Sequence, residues 1–236
     1  MNSEKELKAI NQSLRNTTVQ VDFCKNAYSS VLFGMGNTKV ICAVSISEDV
    51  PDHAKKKNIG WLSTEYTMLP YSTPERTKRE FTKRDGRSIE IQRLIGRSLR
   101  AAIDLSKIPG YSIMVDCDVI QADGGTRTTS INGGYIALKR AFDRMLNEKK
   151  IENSPLITNI AAVSVGIIDN KIYLDLDYEK DSRADVDMNI VMNGDFDFIE
   201  IQGTGEQTSF TKDQFNQLLK TAESGIKELI AIQNLY

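Results

Sequence analysis

Histidine is almost missing from this sequence. His53 is the only one in 236 residues, which excludes catalytic or metal centres built on several imidazoles. It lies in the lysine-rich stretch 51–60, read as a loop, where a lone imidazole is more often solvated than catalytic. Cysteine is also scarce. Cys24, Cys42 and Cys117 are odd in number, far apart and set in apolar or strand-like surroundings, which argues against a disulfide framework or a zinc site. No run approaches the roughly 18 apolar residues of a membrane span. The amino terminus, Met-Asn-Ser-Glu-Lys-Glu-Leu-Lys, is polar with no apolar stretch behind it, so no membrane association and a cytoplasmic location are the default expectations. With 5 prolines, 15 glycines and no low-complexity run, nothing marks a flexible linker. A chain of this length can bury a sizeable core as one large domain or two small ones closely packed.

Charge is present but unevenly placed. The formal net charge is −2, yet between Arg76 and Arg100 nine basic residues (Arg76, Lys78, Arg79, Lys83, Arg84, Arg87, Arg93, Arg97, Arg100) face three acidic ones (Glu80, Asp85, Glu90), so this segment carries +6 and the rest −8. A concentrated basic segment in an acidic protein can track a phosphate backbone. A solvated loop and helix face would look the same in composition alone.

The periodicities give a coarse map. Residues 17–47 read as a first β region with a hairpin at Gly34–Thr38, residues 61–69 as a strand, and residues 88–105 as an amphipathic helix with Ser88 as its cap. Ile113, Val115, Cys117 and Val119 alternate with Asp116 and Asp118 in a strand. A helix follows at about 131–147, then strands at 159–168 and 171–179 joined at Asp169-Asn170, further strands at 184–192 and 196–202, and a helix at 211–235. Two successive β-then-α halves emerge, the first ending near residue 150.

Two stretches carry chemistry. After the strand ending at Ile120 comes Gln-Ala-Asp-Gly-Gly-Thr-Arg-Thr-Thr-Ser130. Here Gly124 and Gly125 permit a tight turn, Thr126, Thr128, Thr129 and Ser130 offer hydroxyls, and Arg127 can fork onto a phosphate beside a helix start. The spacing is neither that of a P-loop nor that of a dinucleotide fingerprint. Further on, Asp175, Asp177, Glu179, Asp181, Asp185 and Asp187 crowd together. Such carboxylates can hold a hard divalent cation, or one can stay protonated and serve as an acid. A solvated acidic hairpin is the plain alternative.

Taken together, several motifs resemble the ribonuclease PH family of phosphorolytic exoribonucleases. They are Gly36-Asn-Thr-Lys-Val40, Gly60-Trp-Leu-Ser-Thr-Glu-Tyr-Thr-Met-Leu-Pro70, Gly86-Arg-Ser-Ile-Glu-Ile-Gln-Arg-Leu-Ile-Gly96, the run from Asp116 to Gly133, Asp181-Ser-Arg-Ala-Asp-Val-Asp-Met-Asn189 and Gln202-Gly-Thr-Gly-Glu206. They stand in the family's order and cover roughly residues 14–232. The resemblance implies an α+β fold of two similar βαβα halves, related to a ribosomal-protein-type fold, within a single domain divided at about 1–150 and 151–236. It implies phosphate-dependent 3′-to-5′ removal of nucleotides from RNA, notably transfer RNA precursors, with inorganic phosphate as co-substrate and Mg2+ assisting. Position by position, Gly125, Thr126, Arg127 and Arg87 match the phosphate-binding residues. Asp181 and Asp187 match the paired catalytic and metal-binding acids. Arg76, Arg79, Arg93 and Arg97 would then guide RNA, and six copies would close into a ring of three dimers.

There are departures from the pattern. Tyr71 stands where members often carry arginine, the basic loop between Arg79 and Arg87 is shorter, and the amino terminus is less arginine-rich. Other readings remain beside this one. A non-catalytic RNA-binding subunit of an exosome-like ring would not need Arg87, Gly125-Thr126-Arg127, Asp181 and Asp187 together. A hydrolytic exonuclease would use two metals and water, and a metal-independent phosphate-binding protein would leave the basic segment unexplained.

Overall fold

The computed structural model describes residues 8–11, 13–79 and 85–236. Residues 80–84, which include Lys83 and Arg84 of the basic segment, and residues 1–7 of the polar amino terminus lie outside the described residues. In chain order the elements are β1 (Lys8–Asn11), β2 (Thr17–Val21), β3 (Ser29–Met35), β4 (Thr38–Ser47), α1 (Asp52–Lys55), β5 (Trp61–Met68), α2 (Gly86–Arg100), β6 (Ser112–Gln121), α3 (Thr126–Asn147), β7 (Ile160–Ile168), β8 (Lys171–Leu174), α4 (Tyr178–Asp181), β9 (Val186–Asn193), β10 (Phe198–Gly205) and α5 (Lys212–Gln233). They form two five-stranded sheets, β2-β3-β4-β6-β5 and β1-β8-β7-β9-β10. The expected two-halved α+β architecture is therefore present. One crossing departs from a division at residue 150: β1 pairs parallel with β8 in the second sheet.

Alternation builds the first sheet. Val40, Cys42 and Val44 of β4 and Ile113, Val115, Cys117 and Val119 of β6 are fully buried, while intervening residues face away. The helix α3 covers this face closely. A Cβ on Gly133 would stand 2.7 Å from Phe33 Cβ and 2.8 Å from Cys42 Sγ, so the approach requires glycine. On its other side α3 meets β7, every residue of which is buried, as befits a strand with helices on both faces. Buried Asn132 links the two halves, accepting from Ala162 N (2.9 Å) and donating to Ala162 O (2.8 Å). One apolar core thus runs through both sheets.

Several boundaries differ from the periodic reading. The cap of α2 is Asp85, whose side chain accepts from Ser88 N; Ser88 lies inside the helix, which ends at Arg100 rather than 105. Residues 51–60 hold the single turn α1 as well as loop. The helix α3 starts at Thr126, five residues before Ile131, because Gly125 turns left-handed and launches it. The strand expected over 171–179 stops at Leu174. Asp175 has φ 55°, and the chain then forms α4 with Asp177 as its cap. The Asp169-Asn170 hairpin holds as read, with positive φ at both residues (49° and 58°), the signature of a type I′ turn.

Candidate active site at the Gly-Gly turn

The parallel strands β5 and β6 end side by side, with Met68 opposite Val119. Their outgoing loops bond to each other, Ala122 N donating to Ser72 O at 2.8 Å. Beyond Ala122 the chain makes its tight turn. Gly124 and Gly125 have φ 73° and 62°, a left-handed pair that side chains resist. A Cβ on Gly124 would lie 2.5 Å from Leu176 O and 2.8 Å from Tyr178 N. The turn is therefore pressed against the segment that enters α4 from the second half. Thr38 holds it from below, accepting from Asp123 N (2.9 Å) and donating to Gly124 O (2.6 Å).

The first backbone amide bonded within α3 is that of Thr129, to Gly125 O at 2.9 Å. The amides of Thr126, Arg127 and Thr128 precede it, at the positive end of the helix dipole, where anions bind. The hydroxyls divide differently from the sequence expectation. Thr128 and Thr129 both donate to Gly125 O, at 2.9 and 2.8 Å, and Ser130 donates to Thr126 O at 2.8 Å. All three residues are buried, so they brace the turn rather than receive a ligand. Thr126 alone of the four remains, its hydroxyl 2.9 Å from that of Tyr66. Burial pushes the Tyr66 hydroxyl pKa up and keeps it neutral.

Arg127 reaches across to the second half and donates to Gln202 Oε1 at 2.9 Å, with Glu90 3.8 Å away. Gln202 in turn donates to Glu90 (3.2 Å) and Glu200 (3.3 Å). Arg97 forks onto Glu200 with bonds of 3.0 and 2.6 Å. Arg97, itself exposed, is thus anchored to β10, and Arg76, Arg79, Arg87 and Arg93 are exposed as well. Arg87 is near enough that its charge, with that of Arg127, favours the ionised form of Asp181.

The acidic cluster separates in space. Asp175 is buried and paired with Arg15 at 2.7 Å; Asp177 caps α4; Glu179 lies 3.8 Å from Arg183; Asp185 accepts from Asp169 N. Only Asp181 and Asp187 line an open cleft of about 370 Å³, together with Ser182, Ala184, Glu206 and Gln207. Burial raises the pKa of Asp181, with Arg87 and Arg127 opposing. Burial raises Asp187 further, to about 6, and the neighbouring Asp181 charge adds to it. Asp187 Oδ1 is buried without a hydrogen-bond partner. The strand-face acids Asp116 and Asp118 take a different place: they sit on β6 opposite Glu65 and Thr67 of β5, and burial and Glu65 raise Asp118.

Sequence reasoning missed four contributors. Arg15 donates to Asp175 Oδ1 (2.7 Å) and to Asp123 O (2.6 Å), tying the turn to the second half. Tyr66 and Gln202 lie inside quoted motifs, but only the fold shows that they hold Thr126 and Arg127. Glu206 lines the cleft and raises both aspartates.

A family model described as the 3′ exoribonuclease family, domain 1, matches residues 13–142, and its domain 2 matches residues 158–225. Ribonuclease PH of Crocosphaera subtropica is 51% identical over 221 residues, covering 94% of this chain and 92% of that protein. The chain belongs to the ribonuclease PH family. Ribonuclease PH of a Geobacillus species is 50% identical over 226 residues, covering 94% of this chain and 89% of its own length. Among solved structures, the Archaeoglobus fulgidus exosome with RNA bound to its active site superposes with a TM-score of 0.78 at 22% identity, covering 93% of this chain and 89% of that one. An archaeal exosome core gives 0.76 at 21% identity, covering 94% and 88%. At such identities the likeness to the exosome chains is one of fold. The charges of Arg87 and Arg127, from the first half, act on Asp181, and that of Arg127 also on Asp187, both on the cleft of the second half.

Proposed function

We propose that this cleft removes nucleotides from RNA 3′ ends by phosphorolysis. The observation that carries the reading is the meeting of an anion-binding helix start and Arg127, from the first half, with two pKa-raised carboxylates from the second. Inorganic phosphate is held by Gly125, Thr126, Arg127 and Arg87 and attacks the terminal phosphodiester. The bond to the upstream 3′ oxygen breaks, and a nucleoside diphosphate leaves. Positive charge from the two arginines offsets the repulsion between two anions, and the rigid turn fixes the line of attack. The departing 3′ oxygen needs a proton, and Asp187, half-protonated near pH 6, is an acid poised to supply it.

The donor set also fits a magnesium ion. Two carboxylates, one with a buried oxygen lacking a partner, match a cation that takes one or two protein oxygens and completes its shell with water and phosphate. Asp181 and Asp187 would hold it, and it would supply further neutralisation of charge on the reacting phosphates. The same oxygens cannot carry proton and cation at once, so acid and cation ligand are alternative states of Asp187, and cation affinity rises with pH through about 6.

Arg76, Arg79 and Arg93 form the exposed cationic approach that guides single-stranded tails, including those of transfer RNA precursors, with Arg97 at its anchored end. Both halves act as one domain, since neither alone holds phosphate and acid. Six copies are expected to close as three dimers. No helix among the described residues is long and apolar enough to cross a membrane, and the cytoplasm is the proposed location.

The test is to incubate the protein with magnesium and a 3′-extended transfer RNA, with and without inorganic phosphate, and identify the nucleotides released. Diphosphates appearing only with phosphate are expected. Monophosphates without phosphate, or binding with no release, overturn phosphorolysis.

A further inference from the structure

Two exposed aromatic rings stand out on the segments that bond to the turn and the strand end before it. Tyr71 and Tyr178 are each 66% exposed, more than the other exposed aromatic residues, Phe23 (39%) and Phe198 (47%). Each belongs to a segment bonded directly to the turn: Ser72 O accepts from Ala122 N, and Tyr178 N donates to Asp123 Oδ1 at 3.2 Å. Of the two, Tyr178 is tied to the acids. It opens the single turn α4 that ends at Asp181, and residues three apart on a helix share a face. Its backbone rests on Gly124, which has no Cβ to push it away.

The placement is unusual for a residue with only a packing role. The Tyr178 ring meets solvent, and its hydroxyl has no hydrogen-bond partner among the described residues. The backbone beneath it is fixed at three points: the bond to Asp123, the Asp177 cap and the contact with Gly124. A rigidly based, solvent-facing ring next to a phosphate site is what a nucleobase can stack on, whatever its identity.

We infer that Tyr178 is the stacking platform for the base of the 3′-terminal nucleotide, placing the scissile linkage between the held phosphate and Asp181. This rests on the reading of the cleft as the phosphorolytic site. Tyr178 is a positioning residue: it touches the base and does no proton chemistry. Stacking tolerates every base, which suits an enzyme that shortens tails one nucleotide at a time without reading sequence. Loss of one such contact weakens RNA binding on the order of tenfold.

The experiment uses the full chain with an oligonucleotide whose 3′-terminal base is 2-aminopurine, whose fluorescence is quenched on stacking. Without phosphate, wild-type protein is expected to quench it, Tyr178→Phe and Tyr178→Trp to retain the quench, and Tyr178→Ala to lose it. Tyr71→Ala is expected to keep the terminal quench. With phosphate present, Tyr178→Ala should raise the KM for RNA on the order of tenfold and leave the KM for phosphate unchanged. Full quenching and an unchanged RNA KM in Tyr178→Ala would overturn the assignment. So would loss of the quench in Tyr178→Phe, which would point to the hydroxyl instead of the ring. Wild-type protein releasing no diphosphates would instead overturn the phosphorolytic reading itself, so the two failures are told apart.

Discussion

The turn that opens α3 in the first half is made of backbone and hydroxyls, the cleft of the second is lined by carboxylates, and the two are built to opposite standards. Around the Gly-Gly turn the side-chain hydroxyls are bonded: Thr38, Thr128, Thr129 and Ser130 each donate to a main-chain oxygen of the turn or of the first residue of α3. At the cleft, two acids of like charge are partly buried together, and one oxygen of Asp187 has no partner. On the turn side the hydroxyls are braced before any ligand arrives, whereas the acid side keeps a buried carboxylate oxygen without a partner. Such a contrast places the stored cost where a proton, a cation or a substrate can relieve it. The chain between the two is joined by Arg15, which bonds Asp123 O on one side and Asp175 on the other.

That junction gives the largest expected effect. The Arg15 side chain is 13% exposed and that of Asp175 is fully buried. Arg15→Ala leaves a buried charge uncompensated and should lower the unfolding free energy by about 3–5 kcal/mol. Urea denaturation measures it, and adding Asp175→Ala should recover part of the loss. A change below about 1 kcal/mol, the range of surface pairs, would mean that the two halves are not held here.

The satisfied side is broken next by Arg127→Ala. Its guanidinium belongs to the first turn of α3 and its charge reaches both Asp181 and Asp187, and removing one preorganised donor costs on the order of 10²–10³ in turnover. Phosphate-dependent release should collapse to that extent while the thermal midpoint stays near wild type. An unchanged rate and phosphate dependence would refute the role assigned to this side chain.

Much of this division was legible in the sequence, and the rest was not for definable reasons. The strands β4 and β6 announce themselves by strict alternation, and Thr211 caps α5 in a reciprocal box with Gln214 that follows from local chemistry. The turn and the acid pair were named from motifs, and the fold sets Asp181 and Asp187 on one cleft with the charge of Arg127 acting on both. The early start of α3 was hidden because Thr126, Thr128, Thr129 and Ser130 are weak helix formers, and the helix is launched by the left-handed Gly125 without a side-chain cap. The turn α4 is four residues long, too short to show a period. Arg15 and Asp175 are 160 positions apart, and no local pattern can join them. The carboxylates split between structural and reactive roles only once burial is known.

The strained side supplies the smallest effect and the sharpest contrast in sign. The carboxyl of Asp187 titrates near 6 in the folded protein, against an ordinary value of 3.8. The folded state therefore binds the proton more tightly than the unfolded state. The stability this gives is full below about pH 4 and is lost as pH rises through about 6, because above that the buried carboxylate is ionised. Asp187→Asn removes the charge and keeps the shape. It should raise stability at pH 7.5 by up to about 3 kcal/mol, and the gain should vanish as pH falls to 4, while turnover is lost at every pH. Thermal melts of both proteins from pH 4 to 8 trace the difference. A gain that is flat with pH would assign the effect to packing, and a loss of stability at pH 7.5 would mean that Asp187 is paired in the resting enzyme and that the two sides of the site are built to the same standard after all.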